Sequence, residues 1–202
     1  MNIKKKILFV GASFAQVPPI KYAKKMGYYV VACDQNKKSP GFKYCDESYI
    51  ISTTNKKKIY ELSKKLKING IITYVSDTAS PAVSYVAKKL NLKGLPIKAV
   101  NTLIYKNLFR KFLKKNNFNY PDFKIFRPKE KITNFINKIG YPFFIKPIDS
   151  SGSKGVTKVI KKIFIKEAIS EALNYSNKKK FIIEKIIERK GYQVAGDGFV
   201  MN

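Results

Sequence analysis

Hydrophobic and polar positions along the first hundred residues follow an order that predicts alternating strands and helices. Short apolar runs typical of buried strands occupy residues 6–10, 28–34, 48–52 and 70–75. Amphipathic segments with the helical spacing of apolar residues occupy residues 19–27, 55–66 and 81–90. Ser76, Asp77 and Thr78 precede the last of these helices and are predicted to cap it. This order predicts a parallel, Rossmann-like sheet with helices on both faces.

The pattern changes beyond residue 96. A long amphipathic helix is predicted from Asn101 to Asn117. Further strands and helices are predicted at residues 130–140 (helix), 142–147 and 156–160 (strands), 165–176 (helix) and 181–187 (strand), with a fourth strand beginning at Tyr192. Two of the strands are joined by a glycine loop and not by a helix, which predicts an α+β unit. We therefore place a domain boundary at residues 97–98.

Composition supports a folded protein and excludes some chemistry. The chain has 202 residues, 45% of them hydrophobic, which is enough to bury a core. Cys33 and Cys45 are too few for a disulfide framework or a zinc site, and the absence of histidine excludes His-based triads within this chain. The first apolar run is too short for a signal peptide, and no run approaches the roughly 20 apolar residues of a membrane-spanning helix. A cytoplasmic location is predicted.

The net charge of +28 raises the question of a polyanionic partner, because clustered lysines bind phosphates by releasing counterions. Only three of the 41 basic residues are arginine, and the lysines are spread over nearly every predicted helix. Base readout and bidentate phosphate binding favour arginine. We therefore favour a general lysine bias of the solvated surface, with binding of RNA or another polyanion as the alternative.

A first glycine loop, "VGASFAQ", follows the first strand, where dinucleotide-binding proteins carry G-x-G-x-x-G. Gly11 is its only glycine, and Ser13 and Gln16 occupy the second and third glycine positions. Asp34 ends the second strand, where a ribose-binding acid would lie. Because the Gln16 side chain would obstruct a pyrophosphate, a plain strand-to-helix turn is favoured over a nicotinamide dinucleotide site. A small substrate at this edge of the sheet, near Ser13, Asp34 and residues 76–78, is a further alternative.

A second glycine loop lies in "FFIKPIDSSGSKGV". Lys146 ends the preceding strand, and residues 149–155 supply backbone N–H groups and serine hydroxyls that can converge on phosphate oxygens. Gly152 and Gly155 leave room for a ligand to approach closely. The stretch is not a Walker A loop, because it lies between two strands and lacks the G-x-x-x-x-G-K-[ST] order. Taken alone, it is equally compatible with an ordinary hairpin loop.

Its sequence context favours a phosphate-binding loop. The relevant segments are, in chain order, "AKKMGYYVVACDQN", "INGIITYVSDTASP", "IYKNLFRKFLKKNNFNYPDF", "IGYPFFIKPIDSSGSKGV" and "FIIEKIIERKGYQVAGDGFV". Together they resemble the ATP-grasp enzymes, especially the carboxylate-amine ligases related to the carbamoyl-phosphate synthase large chain, biotin carboxylase and the ATP-dependent carboxylase of purine synthesis. The resemblance implies an α/β fold, with a Rossmann-like pre-ATP-grasp domain at 1–97 and the α+β N-terminal part of an ATP-grasp domain at 98–202.

The resemblance also implies roles for individual residues in ATP binding. Lys106 and Lys146 correspond to the two lysines that reach the ATP phosphates. The flexible loop that covers the β- and γ-phosphates corresponds to Ser150, Ser151, Gly152 and Gly155. The hinge strand that binds adenine corresponds to Glu184, Lys185, Ile186 and Ile187. Gln193 lies where many relatives carry a ribose-binding Glu, so its contact with the ribose is an open question.

Small-molecule carboxylate and amine substrates, an acyl-phosphate intermediate and Mg²⁺ are implied in the same way. The metal ligands that the resemblance leads us to expect, a Glu and a later Glu-x-Asn in a C-terminal lobe, are not found in the 202 residues. Because phosphoryl transfer needs the metal, we expect a truncated or split ligase that does not turn over alone. A second polypeptide that supplies the missing lobe is one alternative. Two rival functions are a non-catalytic basic fragment that binds RNA or another polyanion, and a nicotinamide-dependent oxidoreductase.

Overall fold

The computed structural model describes residues 4–188 and 190–192, and the chain divides into two compact units. The first unit extends to Phe112 and also includes Ser150–Gly152. The second consists of Leu113–Asp149 and the chain from Ser153 onward. This division follows packing, whereas the boundary at residues 97–98 was drawn from a change in sequence pattern and stays a prediction.

A four-stranded parallel sheet forms the centre of the first unit. Its strands are β1 (Lys6–Val10), β2 (Tyr29–Asp34), β3 (Glu47–Ile50) and β4 (Gly70–Ile72), in the order β3-β2-β1-β4. In the central strand, Leu8 pairs with Val31 on one side and with Ile71 on the other. The predicted Rossmann-like parallel sheet is therefore confirmed.

Helices cover both faces of this sheet. They are α1 (Val17–Lys25), α2 (Lys56–Leu66) and α3 (Ser80–Lys89). Further along the chain, α4 (Ile97–Ile104) packs on α3, and α5 (Lys106–Lys115) follows it. Leu8 and Val10 are buried in one core cluster with residues of α2 and α3. Phe9 points to the other face, where it is buried with Ile20 of α1. This in-and-out alternation along β1 is what a strand between two helical layers requires.

Three local predictions in this half of the chain were wrong. The strand predicted over residues 70–75 ends at Ile72, because the Thr73 hydroxyl donates to the carbonyl of Val10 and Val75 adopts a left-handed backbone with φ of +50°. Residues 76–78 do not cap α3, whose first turn is preceded by Ala79 and has no side-chain cap. A backbone turn takes that place, since Ala79 N–H donates to the carbonyl of Ser76.

The third correction concerns the long helix predicted from Asn101 to Asn117. The structure has two helices here, separated by Tyr105 in an extended conformation. The Tyr105 N–H closes α4 on the carbonyl of Asn101, while its own carbonyl accepts the first hydrogen bonds of α5 from Leu108 and Phe109. The apolar spacing is continuous across the break, so sequence periodicity could not show it.

An antiparallel sheet forms the centre of the second unit. Its strands are β5 (Phe123–Phe126), β6 (Phe143–Pro147), β7 (Thr157–Val159) and β8 (Phe181–Lys185), in the order β5-β8-β6-β7. Helices α6 (Thr133–Ile139) and α7 (Ile165–Asn174) share a core with Phe143, Ile145 and Ile183. The predicted α+β arrangement is confirmed. The fourth strand predicted from Tyr192 falls almost wholly on residues 193–200, outside the described part of the chain.

Sequence analysis argued against a disulfide framework, a zinc site and a membrane-spanning helix. Cys33 and Cys45 are free thiols, and burial, followed by the neighbouring Asp34 charge, raises the pKa of Cys33 to about 12. Within residues 4–188 and 190–192, no three His, Cys, Asp or Glu side chains come close enough to hold a metal ion. None of the helices in that range has the length and hydrophobicity that a bilayer-crossing segment needs.

Candidate functional site

Lys146 and Glu184 form an ion pair on the two central strands of the antiparallel sheet. Lys146 Nζ lies 2.7 Å from Glu184 Oε2, and the Glu184 side chain is only 2% exposed. Phe144 of β6 pairs with Glu184 of β8, so Lys146 is the diagonal neighbour of Glu184 on one face of the sheet. That face is opposite to the one covered by α6 and α7, because Ile145 and Ile183 point into their core.

Burial makes the two charges depend on each other. A carboxylate withdrawn from water is stable only with a charged or hydrogen-bonding partner, and Lys146 Nζ supplies one for Glu184. The same ammonium lies 4.8 Å from the centroid of the Phe144 ring, close enough for a cation–π contact. The assignments of Lys146 to phosphate and of Glu184 to adenine stay predictions. The geometry adds that Glu184 orients Lys146, which sequence analysis did not foresee.

The glycine loop between β6 and β7 turns through left-handed backbone. Gly152, Ser153 and Gly155 have φ of +63°, +55° and +69°. Glycine adopts this conformation without the steric cost that a side chain brings. Among the described residues, no atom lies within 4 Å of the position that a Cβ of Gly152 would occupy. This side of the loop is therefore open to a ligand.

Gly155 plays a different part in the loop. Gly155 is buried, and an added Cβ would lie 3.0 Å from Cδ2 of Tyr175 and 3.2 Å from the carbonyl oxygen of Glu171. Both contacts are at the C-terminal end of α7. Glycine is needed here for close packing as well as for its backbone conformation, so the end of the loop is fixed against this helix.

In the first unit, Lys106 contacts the beginning of the loop. It is the first residue of α5, and its Nζ donates to the backbone carbonyl of Ser150 at 2.5 Å. The Ser150 hydroxyl donates to the carbonyl of Ser151 at 3.4 Å. The structure therefore brings together a predicted phosphate-binding lysine and two predicted loop residues, and their binding of ATP stays a prediction.

The predicted hinge residues are only partly within a strand. Lys185 ends β8 and is exposed, and its N–H donates to the carbonyl of Asp122 at 2.9 Å. Ile186 and Ile187 follow the strand, the former half-buried and the latter 62% exposed. Gln193 lies outside the described residues.

At the first glycine loop, the side chain of Gln16 lies against Gly11, 3.5 Å from the position of an added Cβ. Its Oε1 accepts the Ser13 N–H at 2.9 Å, and its Nε2 donates to the carbonyl of Tyr74. Asp34 uses both carboxylate oxygens for backbone N–H groups, those of Ala12 at 2.9 Å and Asn36 at 3.0 Å. The Ser13 hydroxyl also donates to Gln16 Oε1 at 2.5 Å. All three polar side chains therefore support the turn, in line with the interpretation favoured from the sequence.

Sequence analysis included Asp149 in the second glycine loop without a role for its side chain, and it missed Ser176, which holds the loop. The Ser176 hydroxyl donates to Asp149 Oδ1 at 2.6 Å, across 27 residues of chain. Asp149 could have been noted as an acid directly before the loop. Its partner could not, because no local pattern links residues so far apart.

Comparison with known proteins finds relatives of this chain in sequence and in fold. A family model described as "D-ala D-ala ligase C-terminus" matches residues 112–198. Formate-dependent phosphoribosylglycinamide formyltransferase of Prochlorococcus marinus (strain MIT 9515) is 26% identical over 182 residues, which are 88% of this chain and 46% of that protein. The chain spans about half the length of the curated relatives it matches.

Two solved structures show the fold. The biotin carboxylase domain of 2-oxoglutarate carboxylase from Hydrogenobacter thermophilus, in complex with MgADP, has a TM-score of 0.75 at 19% identity and covers 93% of this chain and 45% of that chain. N5-carboxyaminoimidazole synthetase from Staphylococcus aureus, complexed with ADP, has a TM-score of 0.74 at 19% identity and covers 93% of this chain and 49% of that chain. The family match, the curated relatives and the shared fold agree with the resemblance to the ATP-grasp enzymes found in the sequence.

Proposed function

We propose that this chain carries the nucleotide-binding part of an ATP-dependent carboxylate-amine ligase. The observation that carries the proposal is the ion pair between Lys146 and the buried Glu184 on the two central strands of the antiparallel sheet, with a glycine loop following Lys146 in the chain. A lysine held in place by a carboxylate, together with loop N–H groups, is suited to neutralise and orient phosphate oxygens. On the same face, the half-buried Phe144 offers apolar contact for a base.

In the proposed reaction, a substrate carboxylate oxygen attacks the γ-phosphorus of ATP. An acyl phosphate forms and ADP leaves. An amine then attacks the acyl carbon, phosphate leaves, and the amine loses a proton. This chain's residues bind and orient the nucleotide in that scheme: Lys106 and Lys146 at the phosphates, residues 150–155 over the β- and γ-phosphates, and residues 184–187 at adenine. Positioning and charge neutralisation account for most catalysis of phosphoryl transfer.

The remaining machinery is proposed to come from outside these 202 residues, in the same or a second polypeptide. Mg²⁺ would neutralise the β- and γ-phosphate oxygens when bound. The described residues offer no cluster of three metal-ligating side chains for it, so we assign no step of the metal to this chain. We expect the chain alone to bind ATP and to release no ADP above a protein-free blank. Sustained ADP release from the purified chain, with formate and phosphoribosylglycinamide among the substrates tried because relatives are named for them, would contradict this.

The decisive experiment compares Lys146→Gln with Lys124→Gln by calorimetric titration of ATP. Glutamine at 146 removes the charge and can still donate a hydrogen bond to Glu184, so the buried carboxylate retains a partner. Lys124 lies on β5 of the same sheet and points to the opposite face, since it pairs with Ile183. Its substitution makes the same change in net charge.

We expect Lys146→Gln to weaken ATP binding at least about tenfold, or about 1.4 kcal/mol, and Lys124→Gln to leave it within about twofold. Equal, small effects of both substitutions would reject the proposed site. If ATP binding instead falls steeply with salt and both variants behave alike, the basic-surface alternative gains, since counterion release and not a specific lysine would then provide the affinity.

A further inference from the structure

The base of the glycine loop is tied to the turn that follows α7. Asp149, directly before the loop, uses both carboxylate oxygens: Oδ1 accepts the Ser176 hydroxyl at 2.6 Å, and Oδ2 accepts the N–H of Lys178 at 2.9 Å. Hydrogen bonds to an ionised carboxylate are roughly twice as strong as those between neutral groups. The beginning of the loop therefore has a two-point attachment.

The turn that receives Asp149 is itself well fixed. Ser176 is only 1% exposed, and its hydroxyl oxygen also accepts the N–H of Lys180 at 3.1 Å. The Ser176 N–H donates to the carbonyl of Leu173 at 3.3 Å, which continues the hydrogen bonding of α7. Phe181, directly after Lys180, begins β8, the strand that carries Glu184. One turn thus connects the loop base with the strand predicted to bind adenine.

The end of the loop is attached to the same place. Gly155 packs on Tyr175, the residue before Ser176, at the close distances given above. Residues 152–154, between the two attachments, are exposed. The loop thus has both ends fixed at the C-terminal end of α7 and an exposed tip.

We propose that Asp149 is a positioning residue for ATP binding: it holds the base of the glycine loop on the α7–β8 turn, so that the N–H groups of residues 150–155 are already arranged for the nucleotide phosphates. The inference rests on the proposed function. A loop ordered before binding avoids the entropy cost of ordering it on the ligand, and donors fixed in advance interact more strongly with a developing or bound charge.

Electrostatics alone predicts the opposite effect of removing Asp149. Its carboxylate is a negative charge at the start of a loop that would bind a polyanion, so its removal should strengthen ATP binding if charge were all that mattered. A positioning role predicts weaker binding. The sign of the change therefore separates the two explanations.

The test titrates ATP and, separately, adenosine into the wild-type chain and into Asp149→Ala, Asp149→Asn and Ser176→Ala at one ionic strength. We expect Asp149→Ala to weaken ATP binding by roughly ten- to a hundredfold, as for loss of hydrogen bonds to a charged group, and to change adenosine binding less than about twofold. Asparagine can still accept from Lys178 N–H and donate to the Ser176 hydroxyl oxygen, so Asp149→Asn should restore part of the loss. Ser176→Ala should also weaken ATP binding.

Glu130→Ala is the matched control, since it removes an exposed acid in the same unit and should leave ATP binding within about twofold. If Asp149→Ala binds ATP as well as or better than wild type, while Lys146→Gln binds it poorly, the positioning role is wrong and the proposed function stands. If ATP and adenosine binding fall equally in all three variants, Asp149 has a general structural role and the inference also fails. If the wild-type chain binds no ATP, both proposals fall.

Discussion

Gly152 and Gly155 share a left-handed backbone, but the structure gives each a different reason to be glycine. Gly152 has open space where a side chain would be, and Gly155 packs tightly against α7. At Gly152 only the conformational preference of glycine is at stake. At Gly155, a methyl group would also have to displace helix backbone, which cannot give way as a flexible side chain can.

Gly155→Ala is therefore predicted to destabilise the chain by about 2–4 kcal/mol, because backbone strain and overpacking act together. Gly152→Ala, the matched control, should cost about 1 kcal/mol from strain alone. Chemical denaturation followed by far-ultraviolet circular dichroism measures both. Equal losses would show that contact with Tyr175 and Glu171 is unimportant.

Glu47 joins two tyrosines on the parallel sheet. Its carboxylate accepts the hydroxyls of Tyr49 at 2.6 Å and Tyr29 at 2.8 Å. These hydrogen bonds, that of Tyr49 first, lower the pKa of Glu47 below its usual 4.5. The hydrogen bond to Glu47, followed by burial, raises the pKa of Tyr29 from 10.0 to about 12.

The stability difference between wild type and Glu47→Gln is predicted to depend on pH at both ends. A lowered carboxyl pKa stabilises the fold above pH 4.5, and this contribution is lost as the pH falls through the folded-state pKa. A raised tyrosine pKa stabilises the fold below pH 10.0, and this contribution is lost as the pH rises towards about 12. Urea denaturation across this range should show a plateau in between. A difference that does not vary with pH would contradict the assignment.

At the scale of elements, α2 begins with a side-chain cap and α3 does not, and this difference can be tested. Asn55 precedes α2, and its side-chain oxygen accepts the N–H of Lys58 at 3.1 Å. Residues 76–78 precede α3 without capping it. Thr78 shares only a long 3.4 Å contact with the hydroxyl of Ser76.

Asn55→Ala is predicted to cost about 1 kcal/mol of stability, since it removes the acceptor of a first-turn N–H group. Thr78→Ala should stay within about 0.5 kcal/mol. Thermal or urea unfolding of the two variants side by side provides the measurement. A larger loss of stability for Thr78→Ala than for Asn55→Ala would contradict the absence of a side-chain cap at α3.

Most helices and strands could be predicted because the spacing of their apolar residues shows which side of each is buried. β1 is found at the residues that its apolar run predicts, and α7 agrees closely with its amphipathic segment. The errors arose where local pattern does not determine the structure. The helix breaks at Tyr105 although the helical spacing of apolar residues continues across it. The end of β4 depends on a hydrogen bond from the Thr73 hydroxyl to the carbonyl of Val10, which is distant in sequence.

At the scale of the whole molecule, charge is the dominant feature. With a net charge of +28, repulsion among lysines should destabilise the compact chain at low salt. Raising the ionic strength from about 0.01 M to about 0.15 M shortens the Debye length from roughly 30 to 8 Å and screens this repulsion.

We therefore predict that the thermal midpoint of the chain rises over this salt range. NaCl and KCl should give the same rise at equal ionic strength, because screening does not distinguish the two cations. Scanning calorimetry provides the midpoint. An unchanged or falling midpoint would show that local ion pairs, such as that between Lys24 and Asp46, outweigh the general repulsion.

The architecture and the candidate site were predictable to different degrees. The strand and helix order was sufficient for a parallel sheet followed by an α+β unit, because connections between strands limit the possible pairings. The residues of the glycine loop could be singled out from their own segment. The link from Glu184 to Lys146 and from Asp149 to Ser176 depends on strands and turns that meet only after folding, so no local pattern carries them.

The position of Gln16 has a consequence for protein engineering. To engineer a dinucleotide-binding site on the parallel sheet, the obvious change is to introduce the glycines of the G-x-G-x-x-G fingerprint at positions 13 and 16. Removing the amide would strip the Tyr74 carbonyl of its donor and the Ser13 N–H of its acceptor. The redesigned loop would gain room for a pyrophosphate and lose the hydrogen bonds that shape it, so a successful graft must also supply a new donor for the Tyr74 carbonyl and a new acceptor for the N–H of residue 13.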